Sequence, residues 1–310
     1  MEPAPRRARR RVDGVLLVDK PAGMTSNGAL QAARRLLDAE KAGHTGTLDP
    51  FATGLLPLCF GEATKFAQTV LDAAKSYVAT VRFGVTTATG DIDGDITAES
   101  PVTFDRAALE AVLPRFRGTI AQVPPMHSAL KRDGRAYYDY ARGGITLERA
   151  PREVDIARLA LVDWTPPRAT LEITCGKGTY VRVLAEDLGA ALGCGAHLEA
   201  LRRTAAAGFD VRDAVTLDAL ARDPAPARDA RLLPVASLLA GMPALALAAA
   251  DAVRLRNGQA IARDVPEGRY RALDGTALLG VVRVAGGLAH AERLCRTDVA
   301  PVADSAAGLG

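Results

Sequence analysis

Apolar residues recur along this chain with two spacings, and the switches between them outline its elements. Val15–Val18 is a continuous apolar run that predicts a buried strand, and Ser26 is placed to cap a helix carrying Leu30, Ala33, Leu36 and Leu37 on one face. Tyr77–Phe83 alternates as a strand does; a helical stretch around Ala107–Leu113 precedes another strand near Thr119–Gln122. Two further strand patterns, Val154–Leu161 and Leu171–Cys175, lead into a helix with Val181, Leu184, Leu188 and Leu192 at three- to four-residue spacing. Strands and helices mix without a regular βαβ rhythm. The expected class is therefore α+β, a mixed sheet flanked by helices.

Two segments interrupt the pattern. Residues 124–153 begin with Pro124-Pro125 and hold the basic pair Lys131-Arg132, a turn at Asp133-Gly134 and a short helical patch with Tyr137, Tyr138 and Tyr140. This is expected to be an insertion; basic residues among aromatics suit RNA, and a tyrosine stripe packing the insertion down, with Tyr137 and Tyr140 three apart, is the plainer reading. Residues 222–234, rich in Asp, Pro, Ala and Arg, read as a linker. Beyond residue 245, Asn257-Gly258 marks a turn, and Tyr270–Leu273, Leu278–Val284 and Leu288–Cys295 read as short strands of a small β domain at 246–310, with a disordered Ala- and Gly-rich tail.

At 310 residues the chain has room for one large and one small domain. Its net charge of +3 is uneven: five arginines against Glu2 put +4 in residues 1–12, which leaves −1 on the rest. Residues 1–12 are accordingly expected to form a flexible basic arm, either near phosphate or simply solvated, and any RNA affinity of the remainder must come from local clustering. Four widely spaced cysteines, no secretory pattern and no membrane-length apolar stretch point to a reducing cytoplasm.

The segment most loaded with chemistry is 43–58, read as a loop punctuated by Gly43, Gly46 and Gly54, with Asp49 fixed between Leu48 and Pro50. Proline biases the residue before it toward an extended backbone, so the carboxylate is presented rather than merely exposed. Asp-Pro is also an ordinary turn opener, and on Asp49 alone both readings stand. Lys20 either contacts the RNA backbone or supports this loop, and Arg202 and Arg203 are candidates for phosphate. Other signals are incomplete: Cys194 and His197 have metal-ligand spacing without a second pair, Gly176–Thr179 lacks the phosphate-loop spacing, and Asp91–Asp95 lacks the distal glutamate of a calcium loop. No metal or cofactor is expected.

The string His44-Thr45-Gly46-Thr47-Leu48-Asp49-Pro50 with Ala52-Thr53-Gly54-Leu55-Leu56-Pro57 closely resembles the catalytic motif of the TruB family of bacterial tRNA pseudouridine-55 synthases. Matching motifs follow in order at Gly14–Pro21, Gly61-Glu62-Ala63-Thr64-Lys65, Lys75–Ala79, Gly178-Thr179-Tyr180-Val181-Arg182 and Leu201-Arg202-Arg203, so the resemblance covers most of residues 14–205. It implies a pseudouridine-synthase-like, largely antiparallel sheet in a catalytic domain at 13–245, a thumb at 124–153 and a PUA-like RNA-binding domain after it. It further implies that one uridine of the tRNA T-loop is flipped out and isomerised without cofactor, guide RNA, membrane or obligate protein partner.

By the same resemblance Asp49 is the nucleophile and Arg182 its ion-pair partner, while Tyr77 lies against the target base near any proton transfer. Tyr180 supports the pocket, Leu201 lines it, His44 stacks within the T-loop and Asp91 joins the Arg182 network. His127 departs from the pattern, standing where the family usually shows tyrosine in the thumb. Two other functions share these features: a guide-RNA-dependent synthase, which the thumb-like insertion disfavours, and an RNA-binding or tRNA-folding chaperone activity, which can coexist with catalysis.

Overall fold

The computed structural model describes residues 9–296 apart from 127, 129, 133 and 146. Residues 1–8 of the expected arm, His127, Asp133, and the expected tail at 298–310 lie outside the described residues, as do the side chains of Lys131, Arg132 and Tyr138.

The chain opens with β1 (Gly14–Lys20), α1 (Ser26–Leu36), β2 (Ala42–His44) and β3 (Thr53–Phe60), followed by a 3-10 turn at Gly61–Phe66, α2 (Ala67–Asp72) and β4 (Lys75–Phe83). A small hairpin, β5 (Val85–Thr87) and β6 (Ile96–Glu99), leads to α3 (Arg106–Val112) and β7 (Gly118–Gln122). The expected insertion holds a two-residue hairpin, β8 (Lys131–Arg132) and β9 (Arg135–Ala136), and α4 (Tyr137–Arg142). Long strands β10 (Arg152–Thr165) and β11 (Arg168–Cys175), helix α5 (Val181–Ala191), β12 (Ala196–Ala206), β13 (Phe209–Asp210) and β14 (Val215–Thr216) follow, then α6 (Leu217–Arg222) and α7 (Ala225–Ala230).

The main sheet runs β14-β1-β3-β12-β4-β11-β10-β7, with β2 on β3 and β13 on β12. Only the β1–β14 and β3–β12 pairs are parallel, so the sheet is largely antiparallel as expected. One core lies between β4, β11 and α5 and includes Ala79, Val81, Leu171, Ile173, Leu184 and Leu188. A second joins β1 and β3 to α1 and α6 through Leu16, Val18, Leu30, Leu56, Leu58 and Leu220.

Four expectations need correction. The helix cap is Thr25, whose side chain accepts from the Gly28 amide, because Ser26 instead turns inward and exchanges hydrogen bonds with the Leu48 backbone. The loop read at 43–58 is shorter, since the apolar run Leu55–Phe60 is fully buried and forms most of β3. Proline is unfavourable inside a sheet, but Pro57, opposite Leu17 of β1, turns its carbonyl the other way to accept from the Thr45 amide, so its missing N–H also points away from β1, in the gap between the β12 and β2 pairings. The linker at 222–234 contains α7, anchored by Arg228, which donates to the carbonyls of Leu36, Leu220, Ala221 and Asp223. Within the arm, Arg10 is held by the Leu37 carbonyl and by both carboxylate oxygens of Asp229.

A separate five-stranded sheet has the order β15-β17-β18-β19-β16, comprising β15 (Ala244–Leu247), β16 (Ile261–Ala262), β17 (Gly268–Asp274), β18 (Ala277–Ala285) and β19 (Leu288–Leu294), with α8 (Ala249–Arg256) across it. It is not isolated. Leu278, Val281 and Cys295 share one core with Leu17, Leu55, Cys59 and Phe66 of the main domain. Lys65 donates to the Leu294 carbonyl and Glu62 accepts from the Arg296 amide, so the Gly61–Lys65 motif is where the two units are tied.

Candidate active site

Three elements converge on Asp49. The loop between β2 and β3 carries it, β4 supplies Tyr77, and the first turn of α5 supplies Arg182. Arg182 Nε lies 3.1 Å from Asp49 Oδ2 and Nη2 lies 3.5 Å from Oδ1, an approach in which the guanidinium fork faces the carboxylate. The same guanidinium reaches Asp91 Oδ2 at 3.4 Å and the Thr89 carbonyl at 3.2 Å. Arg182 is 5% exposed and Asp91 4%, whereas about a third of the Asp49 side chain remains open to solvent. The carboxylate that can meet a substrate is thus the open end of a buried Asp-Arg-Asp chain.

That geometry does not hold Asp49 low in the carboxylate range. Burial pushes its carboxyl up, and the opposing pull of Arg182 is the smaller effect; Asp91 and Asp93 push further up while Lys20 pulls down. The arginine therefore limits the upward shift and aims the group.

The loop is braced from beneath. Lys20 is fully buried, and its ammonium donates to the carbonyls of Met24 (2.6 Å), Pro21 (2.9 Å) and Pro50 (3.2 Å), the last adjoining Asp49. Its place is under the loop rather than facing solvent. The Thr45 hydroxyl and amide both bond to the Pro57 carbonyl. Gly54, at φ +100, lets β3 enter against β12, since a Cβ there would stand 2.3 Å from the Arg203 carbonyl oxygen.

Around the carboxylate, Tyr77 is half-buried, Leu201 lies in the core beneath it, and both belong to one apolar cluster with Leu48 and Ala52. Tyr180, preceding α5, is fixed through its backbone by Gln122, which donates to its carbonyl and accepts from its amide. His44, on β2, has a buried Nδ1 without a hydrogen-bond partner, and burial lowers the affinity of its ring for a proton. Arg202 makes a two-pronged bond with Asp19 at 2.7 and 3.0 Å and stays partly exposed. The structure thus groups Asp49 with Arg182 and Asp91 in one ion-pair chain, beside the apolar cluster of Tyr77 and Leu201, with Tyr180 at the start of the same helix as Arg182. Lys20 lies below the Asp49 loop, and Arg202 lies to one side in the ion pair with Asp19. Arg203, expected at phosphate, is 1% exposed and faces inward. Gln122 and the Thr89 carbonyl carried no sequence signal, being generic polar groups made relevant by β7 and the turn after β5.

A family model described as the TruB family pseudouridylate synthase N-terminal domain matches residues 34–181, and one described as the tRNA pseudouridylate synthase B C-terminal domain matches residues 182–240. The chain belongs to the TruB family of pseudouridylate synthases. It is 55% identical over 291 residues to tRNA pseudouridine synthase B of Azoarcus sp. (strain BH72), covering 94% of this chain and 97% of that protein. It is likewise 55% identical over 306 residues to the protein of the same name from Burkholderia mallei, covering 96% and 98%. As a TruB-family member it is an isomerase that forms pseudouridine in tRNA. Among solved structures, a Cbf5–Nop10–Gar1 complex matches at 25% identity and TM-score 0.66, covering 87% of this chain and 78% of that one. An H/ACA ribonucleoprotein bound to a substrate RNA containing 2'-deoxyuridine matches at 22% identity and TM-score 0.69, covering 91% and 84%, which shows the shared fold. Both TruB family models end before Ala244, where the second sheet begins.

Proposed function

We propose that this chain, acting alone in the cytoplasm, isomerises uridine 55 in the T-loop of tRNA, with Asp49 as the essential nucleophile. The observation that carries the reading is the partly open Asp49 carboxylate gripped from behind by a buried Arg182. A uridine inside a folded loop must leave its stack before its glycosidic bond can be reached. Half-buried Tyr77 offers a ring face for the extruded base, Leu201 lies in the same apolar cluster, and Tyr180 adds a second ring at the start of α5. Asp49 then acts on the ribose as the bond to N1 breaks, by addition at C1′ or by assisting elimination to a glycal, and the base returns through C5. Arg182 keeps the carboxylate aimed, and Asp91 fixes Arg182 from the far side. Lys20 holds the loop that carries Asp49, His44 stands at the loop's entry for the RNA, and Arg202 flanks the rim through its pair with Asp19. The unit from Ala244 onward serves as a PUA-like RNA-binding domain, and the segment 124–153 as the thumb that covers the T-loop.

The test is release of tritium from C5-labelled uridine in unmodified tRNA by the purified chain, with neither guide RNA nor cofactor added. Release mapped to position 55 is the expected result. No release from folded protein and folded tRNA, with release restored by an added guide RNA, would overturn stand-alone action.

A further inference from the structure

Antiparallel pairing of β12 with β4 sets Arg203 directly opposite Tyr77. Arg203 is among the largest side chains in the molecule that are wholly withdrawn from solvent. Its Nε donates to the Leu55 carbonyl at 2.6 Å, in the stretch of β3 paired with neither β12 nor β2. Nη1 borders the catalytic loop, where a Cβ on Gly46 would stand 3.6 Å from it. Nη2 is buried and makes no hydrogen bond.

The site's carboxylates are committed elsewhere, Asp49 and Asp91 to Arg182 and Asp19 to Arg202. The titratable neighbours that feel Arg203 are instead Lys20, His44 and Lys75, each already driven toward its neutral form chiefly by burial. Among the described residues, no ion pair gives the Arg203 guanidinium a carboxylate partner. A buried guanidinium with an unused donor costs free energy in the resting protein, and a state of the site that engages the donor recovers that cost.

Tyr77 is the group placed to use it. The titratable groups that face its phenol are Arg203 from β12, Cys175 from β11 and Asp49 from the loop. Burial pushes the phenol up most strongly, while Arg203 opposes that push both as a charge and as a donor.

We propose that Arg203 is a positioning residue for the reaction, holding the Tyr77 hydroxyl toward the extruded base and supplying the counter-charge while that hydroxyl is without its proton. The inference rests on the function proposed above. Isomerisation breaks N1–C1′ and makes C5–C1′, so one proton must reach N1 and another must leave C5. Tyr77 carries both legs: its hydroxyl proton passes to the base as the glycosidic electron pair departs with it, and the phenolate left behind takes the C5 proton once C5–C1′ has formed. Bonds, electrons and protons balance with no further reactant. Arg203 faces the phenolate that exists between the two transfers.

The experiment follows the tyrosine Cζ carbon by NMR in full-length protein without RNA, with Tyr77 assigned by the resonance missing in Tyr77→Phe. In Arg203→Gln, Tyr77 should titrate about one unit or more higher than in the unmodified protein, and tritium release should slow about 100-fold at saturating tRNA while tRNA affinity stays within about twofold. Arg203→Lys, which keeps the charge, should leave Tyr77 titrating near its original pH. Arg203→Met answers the same question where the glutamine variant does not fold. Tyr77 titrating at the same pH in a folded Gln or Met variant would overturn the proposal, as would an upward shift in Arg203→Lys equal to that in Arg203→Gln. Absence of tritium release by the unmodified protein is a separate outcome that strikes the proposed function and leaves the titration unaffected.

Discussion

At the scale of single residues, Asp49 shows a conflict between chemistry and stability. Its carboxyl is raised in the folded protein, mainly by burial, so the unfolded chain is the more readily ionised. A carboxyl shifted in this direction withdraws stability as pH rises through and above the ordinary carboxylate range. Asp49→Asn removes that burden. It should abolish tritium release, yet melt at a temperature no lower than the unmodified protein; a clear fall in melting temperature would mean that the carboxylate stabilises the loop. Arg182→Met has the opposite electrostatic sense, since burial then acts with less opposition. The acid side of the pH–rate profile should move to higher pH, and an acid side left in place would detach Arg182 from the ionisation of Asp49.

At the scale of elements, the sequence showed several strands and the longer helices of the main domain because their apolar spacing is a local property. Val15–Val18, Tyr77–Phe83 and the Val181–Leu192 helix all appear within a few residues of their expected limits. The central strand β12 carried no such signal, because residues 196–206 mix buried positions with Glu199, Arg202 and Arg203, and its role depends on partners over a hundred residues away in β3 and β4. The candidate site was legible where a residue type and a motif agree, as in the expected pairing of Arg182 with Asp49. It was illegible where burial decides: nothing local tells that Arg202 stays at the rim while Arg203 turns inward, although strand alternation explains it once β12 is known. The β3–β12 junction also makes a demand on Gly54. Gly54→Ala combines an unfavourable positive φ with a backbone collision, and it should cost about 2–4 kcal/mol in denaturant unfolding. A loss below about 0.5 kcal/mol would show that the strands can part without penalty.

For the whole molecule, two sheets are joined through one apolar core and a short polar latch. Glu62 pairs with Lys65 at 2.6 Å, and these two side chains hold the backbone at Arg296 and Leu294. Lys65→Ala should lower the thermal midpoint and accelerate amide exchange in β19 and in Gly61–Phe66 together, leaving exchange in β10 and β11 unchanged. Faster exchange confined to β19 would mean that the two units open independently. Among the described residues, no helix is long and apolar enough to cross a membrane.

The shared core has a consequence for anyone who would use the C-terminal unit as a cassette. Val281 and Leu278 rest on Leu17, Leu55 and Phe66, of which Leu17 and Leu55 belong to the paired strands β1 and β3 beside the Asp49 loop. Cutting near Ala244 would leave an oily scar on both fragments. Grafted onto another enzyme, the small sheet would need a matching apolar socket in its new host, so this architecture resists the domain shuffling that a loosely tethered module would permit.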